Sequence, residues 1–268
     1  MANTIGYGQG AINNTIDWGQ GATDNTIDWG KSQTLSPGGE TNITGGGGAS
    51  YSTNSFEFDG LNDGLGFGST FSLSSAAFSI SIWFKWTGDY VNSEMFILGQ
   101  RTSNGNYFQF LSSTQIRLKI QNSTKDFTSS SITIPQNTWS HLMVIRNESN
   151  SLQPYINGQA FGTAQSITTG ISLDSFGRVI NASFGFKGFL DELSIYNTDQ
   201  TANVATIYGS GKPTDVSGLS PIINLRMGEN ATFDSGTGRW TATSIGSDTR
   251  TATSQNMTEA ARTTDVPI

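Results

Sequence analysis

The sequence predicts an all-β protein, and three observations carry that reading. Only 13% of its 268 residues are charged, while Gly, Ser, Thr and Asn are abundant. The 32 Gly demand frequent turns, as in folds built from many short strands. Apolar and polar residues also alternate at period two, most clearly in Phe78, Ile80, Ile82, Phe84 and Trp86 against Ser79, Ser81, Trp83 and Lys85.

Taken in order, the chain divides into three zones: 1–50, 51–212 and 213–268. The first opens with an 11-residue repeat in three copies, in which Asn3-Thr4-Ile5 recurs as Asn14-Thr15-Ile16 and Asn25-Thr26-Ile27. Each copy runs on to an aromatic-Gly pair, Tyr7-Gly8, Trp18-Gly19 and Trp29-Gly30. Two glycines per unit make a helix costly, so short extended pieces with Gly turns are expected. Evenly spaced Ile5, Tyr7, Ile16, Trp18, Ile27 and Trp29 predict an arm that docks on partner subunits; the competing reading is a flexible leader that arose by duplication. A Gly-rich hinge over 35–50 follows.

The middle zone is the globular one. Ile116, Leu118 and Ile120 alternate with Arg117 and Lys119, and Leu142 and Val144 alternate with His141 and Met143, each a strand with one apolar face. Asn157-Gly158 marks a tight hairpin, because both residues tolerate positive φ. Val204, Ile207 and Tyr208 sit at helical spacing with Gly209 as a stop, so one short helix is expected over 201–208. The predicted core comprises Phe58, Ile80, Ile82, Phe84, Leu118, Leu142, Val144, Leu193 and Ile195. The last zone contains one legible strand, 222–227, and is either a β-rich extension of the same body or a second docking tail.

Composition excludes several functions. A formal charge of -7 with a pI near 4.6 leaves no basic stripe for a nucleic-acid backbone. No run approaches the ~18 apolar residues of a membrane helix, and the first residues carry neither a basic nor an apolar leader. Without Cys there is neither a disulfide framework nor a thiol nucleophile, and one His cannot build a multi-His metal centre.

Several segments together resemble the laminin-G-like branch of the concanavalin A-like lectin/glucanase superfamily. They are Phe58-Asp59-Gly60 with Asn62-Asp63, the 78–85 strand, Trp139-Ser140-His141, Tyr155-Ile156-Asn157-Gly158, and the run from Phe186 through Asp191-Glu192 to Asn197. The resemblance implies a two-sheet antiparallel jelly-roll sandwich used for glycan and protein recognition, and sometimes for glycan cleavage. The cleaving members carry a Glu-x-Asp-x-x-Glu strand motif that this chain lacks. The flanks, including the Asn-Thr-Ile repeats, 39–45 and the ending from Asn256 to Pro267, resemble structural proteins of marine tailed bacteriophages.

No catalytic residue is expected. Asp191 and Glu192, as strand neighbours, should point to opposite faces, so they should not form the acid pair that glycoside hydrolysis requires. Asp191 should share the interior face with Leu193 and Ile195, and a buried carboxylate needs donors or a cation. The resemblance places Asp59 nearest to it, and two carboxylates with loop carbonyls suit a structural calcium ion; the alternative is that Asp191 accepts backbone N–H bonds in a turn. Tyr107 with Asn104 and Asn106, and Tyr90 with its polar neighbours, are the candidate sugar contacts, against the plainer reading of ordinary loop tyrosines.

The expected function is therefore that of a non-enzymatic virion protein, a fibre or decoration protein of head or tail. It would be synthesised in the host cytoplasm, assembled through its arm with other virion proteins and with copies of itself, and display a lectin-like domain at the particle surface. The alternatives are a free carbohydrate-binding module and a glycoside hydrolase with a non-standard site.

Overall fold

The computed structural model describes residues 26–28, 32–34, 51–74, 76–88, 95–101, 105–178 and 185–268. The chain forms two compact units, Met1–Ala49 and Ser50–Ile268. Within the first, β1 (Thr26–Asp28) pairs antiparallel with β2 (Ser32–Thr34), setting Ile27 opposite Gln33.

The second unit is a sandwich. It opens with β3 (Ser55–Asp59) and β4 (Gly64–Leu73), followed by β5 (Phe78–Trp86), β6 (Met95–Gly99) and β7 (Tyr107–Ser112). Next come β8 (Gln115–Ile120), β9 (Ser123–Thr128), β10 (Trp139–Arg146), β11 (Ser151–Ile156), β12 (Gln159–Ala160) and β13 (Gln165–Ser166). β14 (Ile171–Phe176) and β15 (Lys187–Tyr196) precede a short helix, α1 (Val204–Tyr208). The chain ends with β16 (Ile223–Leu225), β17 (Ala231–Asp234), β18 (Arg239–Thr243), β19 (Thr251–Gln255) and β20 (Arg262–Thr263).

One sheet has the order β12-β11-β10-β5-β15-β3-β20, with β13 beside β11 and β16 beside β15; the other runs β17-β18-β19-β4-β14-β6-β7-β8-β9. Every pairing is antiparallel. Residues 213–268 contribute strands to both sheets, so this segment extends the sandwich itself.

All nine predicted core residues are buried together between the sheets. Phe84 of one sheet meets Phe110 of the other with ring centroids 4.7 Å apart. Each fully buried Phe, Leu or Ile contributes about 1.5–3 kcal/mol relative to exposure, which is the main drive for closing the two layers. The Asn157-Gly158 turn has φ values of 50° and 77°, as a twisted two-residue hairpin requires. Gly209 stops α1 in the left-handed conformation, its N–H bonding to Ala205 O.

The outer face of the β10-β5-β15 sheet carries a second apolar cluster. Met143, Ile145 and Tyr196 are covered there by Val204, Ile207 and Val216. Beside it, His141 bonds Ser81 across 2.7 Å and lies against Trp83 and Tyr208. Its burial lowers its pKa to about 3, so the sole histidine is a neutral packed side chain.

Candidate functional site

Two strand irregularities gather the polar side chains, one in each sheet. The first is in β4. Phe71 is opposite Leu173 of β14 and Gly66 opposite Ser175, so five steps on β4 match two on β14. The excess, Phe67 to Thr70, leaves the β14 ladder, with Phe67 still paired to Ala252 of β19, and borders a cavity of about 240 Å³ lined by Phe67, Gly68, Ser69, Thr70, Arg101 and Asp174.

Asp174 occupies the β14 position that β4 abandons. Its Oδ1 accepts the N–H of Arg101 at 2.7 Å, and its Oδ2 lies 3.5 Å from the Thr70 hydroxyl. Gly66 permits Arg101 to lie down on the sheet, since a β-carbon there would stand 3.1 Å from Arg101 Nη1. Arg250, paired with Asp248 at 2.7 Å, covers the Phe67 and Phe71 rings and reaches Ser69 O. The cavity thus offers a carboxylate acceptor, a guanidinium donor and two hydroxyls beside the buried Phe67. That is chemistry suited to a polyhydroxylated ligand.

The second irregularity is in β15. Asp191 is opposite Trp83 of β5 and Ser194 opposite Ser81, which leaves one extra residue on β15. Glu192 absorbs it with φ 49°, a left-handed conformation that a side chain other than Gly rarely adopts. The bulge cancels the alternation expected from the sequence. Leu190, Leu193 and Ile195 enter the core, whereas Asp191 turns to the opposite face, and its carboxylate converges with that of Glu192. Two expectations are corrected here: Asp191 does not share the face of Leu193 and Ile195, and Asp191 and Glu192 do lie together.

Glu229 is their third member, with ligand oxygens of all three within 4.8 Å of one another. Ser52 Oγ donates to Asp191 Oδ2, while Glu229 Oε1 accepts from the Thr53 N–H and, at 2.8 Å, from the Asn54 N–H. Arg226 Nε donates to Glu192 Oε1 at 3.2 Å. Burial pushes the Glu192 carboxyl up to about 8 despite Arg226, and burial with the neighbouring Glu192 raises Asp191 well above the carboxylate range. The three acids form a clamp on the first residues of the sandwich.

Asp59 is not part of it. β3 and β15 are neighbours as expected, but the register sets Asp59 opposite Lys187, four residues from Asp191 and so roughly 13 Å away at ~3.3 Å per residue. Asp59 instead accepts the N–H groups of Leu61 and Asn62 in its own turn, at 2.7 and 3.2 Å. Around Asp191, Ser52 and the Glu192 N–H occupy both carboxylate oxygens and Arg226 holds Glu192 Oε1, while Glu229 Oε2 is buried without a hydrogen-bond partner.

Among the candidate sugar contacts, Asn106 is buried and ties the β6–β7 connection through Gln100 and Gln121. Tyr107 is buried against Phe96, with Lys119 over its ring. Neither lines the cavity. Tyr90, Asn104, Ile5, Tyr7, Ile16, Trp18 and Trp29 lie outside the described residues, and Ile27 is placed only by its position in β1. Arg101, close in sequence to Asn104 and Asn106, was not among the expected contacts.

Comparison with known proteins agrees with this architecture. The profile of the Concanavalin A-like lectin/glucanases superfamily matches residues 58–204, more than half of the chain. The chain belongs to that superfamily. Comparison with curated proteins gives no match. Among solved structures, a candidate carbohydrate-binding protein from Bacteroides ovatus superposes with a TM-score of 0.59 at 14% identity, covering 81% of this chain and 61% of that one. The chain therefore spans about three fifths of that relative's length. A heptameric SAP-like pentraxin from Limulus polyphemus gives a TM-score of 0.46 at 17% identity, over 58% of this chain and 82% of that one. Domain 4 of an extracellular arabinanase from Geobacillus stearothermophilus, solved with arabinotriose, gives 0.40 at 18% identity, over 50% and 69%. At such identities the superpositions show the fold alone.

Proposed function

We propose that this chain is a non-enzymatic glycan-binding protein of a tailed-phage particle, a fibre or decoration protein that presents its sandwich outward. The observation that carries glycan binding is the cavity at Phe67–Thr70, Arg101 and Asp174, where fixed polar groups converge on a sugar-sized space. The superfamily and the carbohydrate-binding relative from Bacteroides ovatus support the same reading. Non-catalysis is supported by charge placement: among the described residues Asp174 is the only carboxylate lining the cavity, and hydrolysis of a glycosidic bond needs two. The acidic trio is packed against Ser52 to Asn54, with no room for a sugar between its members.

The particle role rests on the repeats. Each unit adds one aliphatic and one aromatic side chain, a gross ~2–4 kcal/mol if buried in an assembly, before ordering costs. Three linked units combine through effective concentration, and symmetric copies would give a homo-oligomer at the virion surface. An oligosaccharide array probed with the whole chain and with Asp174→Asn tests the first half; loss of signal in the variant supports it, and equal signal contradicts it. Deleting residues 1–34 tests the second. Glycan binding should persist while incorporation into particles is lost, and normal incorporation would reduce the arm to a passive leader.

A further inference from the structure

We infer that the cavity selects an acidic sugar, one that carries a carboxylate or a sulfate ester, and that Arg101 is the residue that reads the anion. The inference rests on the glycan-binding reading above and adds the chemical class of the ligand.

Arg101 is a cation that takes part in no ion pair among the described residues. Those pairs join Lys85 to Asp265, Arg117 to Asp126, Arg226 to Glu192 and Arg250 to Asp248. Yet Arg101 is half-buried and lines a cavity. Its guanidinium donors therefore face the space a ligand would enter, without an ion pair to hold them. Asp174 is close in the chain fold but does not serve: its Oδ1 is committed to the backbone N–H of Arg101, and it makes no ion pair with the guanidinium.

The surroundings direct the Arg101 side chain. Gly66 leaves the sheet surface bare beneath Nη1, and any larger residue would displace it. The second arginine at the rim, Arg250, is already held by Asp248 through Nε at 2.9 Å and Nη2 at 2.7 Å, so it acts as a wall over Phe67. A planar fork with free donors matches a carboxylate or sulfate in two parallel hydrogen bonds. Asp174 Oδ2, with its long 3.5 Å contact to Thr70, retains capacity to accept a sugar hydroxyl. Anion and hydroxyl are thus read by opposite walls of one cavity. A net charge of -7 gives no long-range attraction for an acidic glycan, so selection must come from these contacts.

The test is calorimetry of the whole chain with three probes: oligogalacturonate, a sulfated galactan oligomer and a neutral galactan oligomer. At least one acidic probe should bind about tenfold or more tighter than the neutral one, and the better of the two identifies carboxylate or sulfate as the group read. Arg101→Gln should erase that preference with an unchanged melting temperature, and Arg101→Lys should restore only part of it, because it keeps the charge but loses the fork. Equal affinity for neutral and acidic probes, or an acidic preference that survives Arg101→Gln, overturns the inference while glycan binding stands. Absence of binding to all three overturns it, and the array in the preceding section then decides whether the broader reading also fails.

Discussion

Arg226 Nε reaches Glu192 Oε1 across 3.2 Å, and the same guanidinium lies 3.8 Å from the centre of the Tyr51 ring. One cation therefore serves an acidic trio and also packs on Tyr51, beside the start of the sandwich. Ser52, Thr53 and Asn54 complete the attachment through Asp191 and Glu229. The β15 bulge is what brings these groups to one face, so a backbone irregularity ties the chain's entry into the sandwich to its C-terminal third.

The two partners of that ion pair should behave differently when removed. Arg226→Met leaves the carboxylates without their cation and should cost about 3–5 kcal/mol at alkaline pH, the usual range for orphaning a buried charge. Glu192→Gln lowers the negative charge of the trio and should cost far less. Urea unfolding of both variants measures this; equal losses would show that Arg226 contributes mainly through packing on Tyr51.

Stability should depend on pH through two opposing arms. Burial raises the Glu192 carboxyl from its ordinary 4.5 to about 8, so the folded form holds the extra proton and stability falls as pH rises through that window. Asp63, raised to about 6 by burial, adds the same sign over a lower window. His141, lowered to about 3 from 6.5, does the reverse: its contribution is lost as pH falls below 6.5. Denaturation midpoints should therefore fall as pH rises from about 4.5 to 8, with His141 offsetting part of the fall below 6.5. Glu192→Gln should remove the fall between pH 6.5 and 8.

Calcium should have little effect on this clamp. The Arg226 cation beside Glu192 and the donors on Asp191 and Glu229 Oε1 oppose a divalent ion there, so chelator or millimolar calcium should leave the melting temperature unchanged. A rise of several degrees with calcium that disappears in Glu229→Gln would reverse this view.

Gly66→Val should separate binding from folding. The valine is a good strand residue, and its clash falls on the movable end of Arg101, so stability should change by less than ~1 kcal/mol. Glycan affinity should drop because Arg101 is displaced. Unfolding of the variant would show instead that Gly66 is required by the strand.

Most of the sandwich was legible because period-two alternation reports a core face directly. Ile80, Ile82 and Phe84, with Leu142 and Val144 beside them, obey it without exception. The site residues were not legible because both sites sit where the period breaks. The trace of the first break is Ser69, a polar residue in the slot between Phe67 and Phe71 where alternation calls for an apolar one. The trace of the second is the spacing Leu190, Leu193, Ile195, three steps and then two. Those signals mark irregular strands, but partners such as Glu229 and Asp174 come from strands and turns distant in sequence, which only the register of the sheets brings close.

The central claim is that glycan binds in the cavity beside the β4 excursion. Amide chemical-shift mapping of the whole chain, titrated with its best-binding oligosaccharide, tests it most directly. The account predicts that the perturbed amides cluster at Phe67 to Thr70, Arg101 and Asp174. Perturbations confined to the outer face of β5, β10 and β15, around Trp83 and Tyr208, would contradict it.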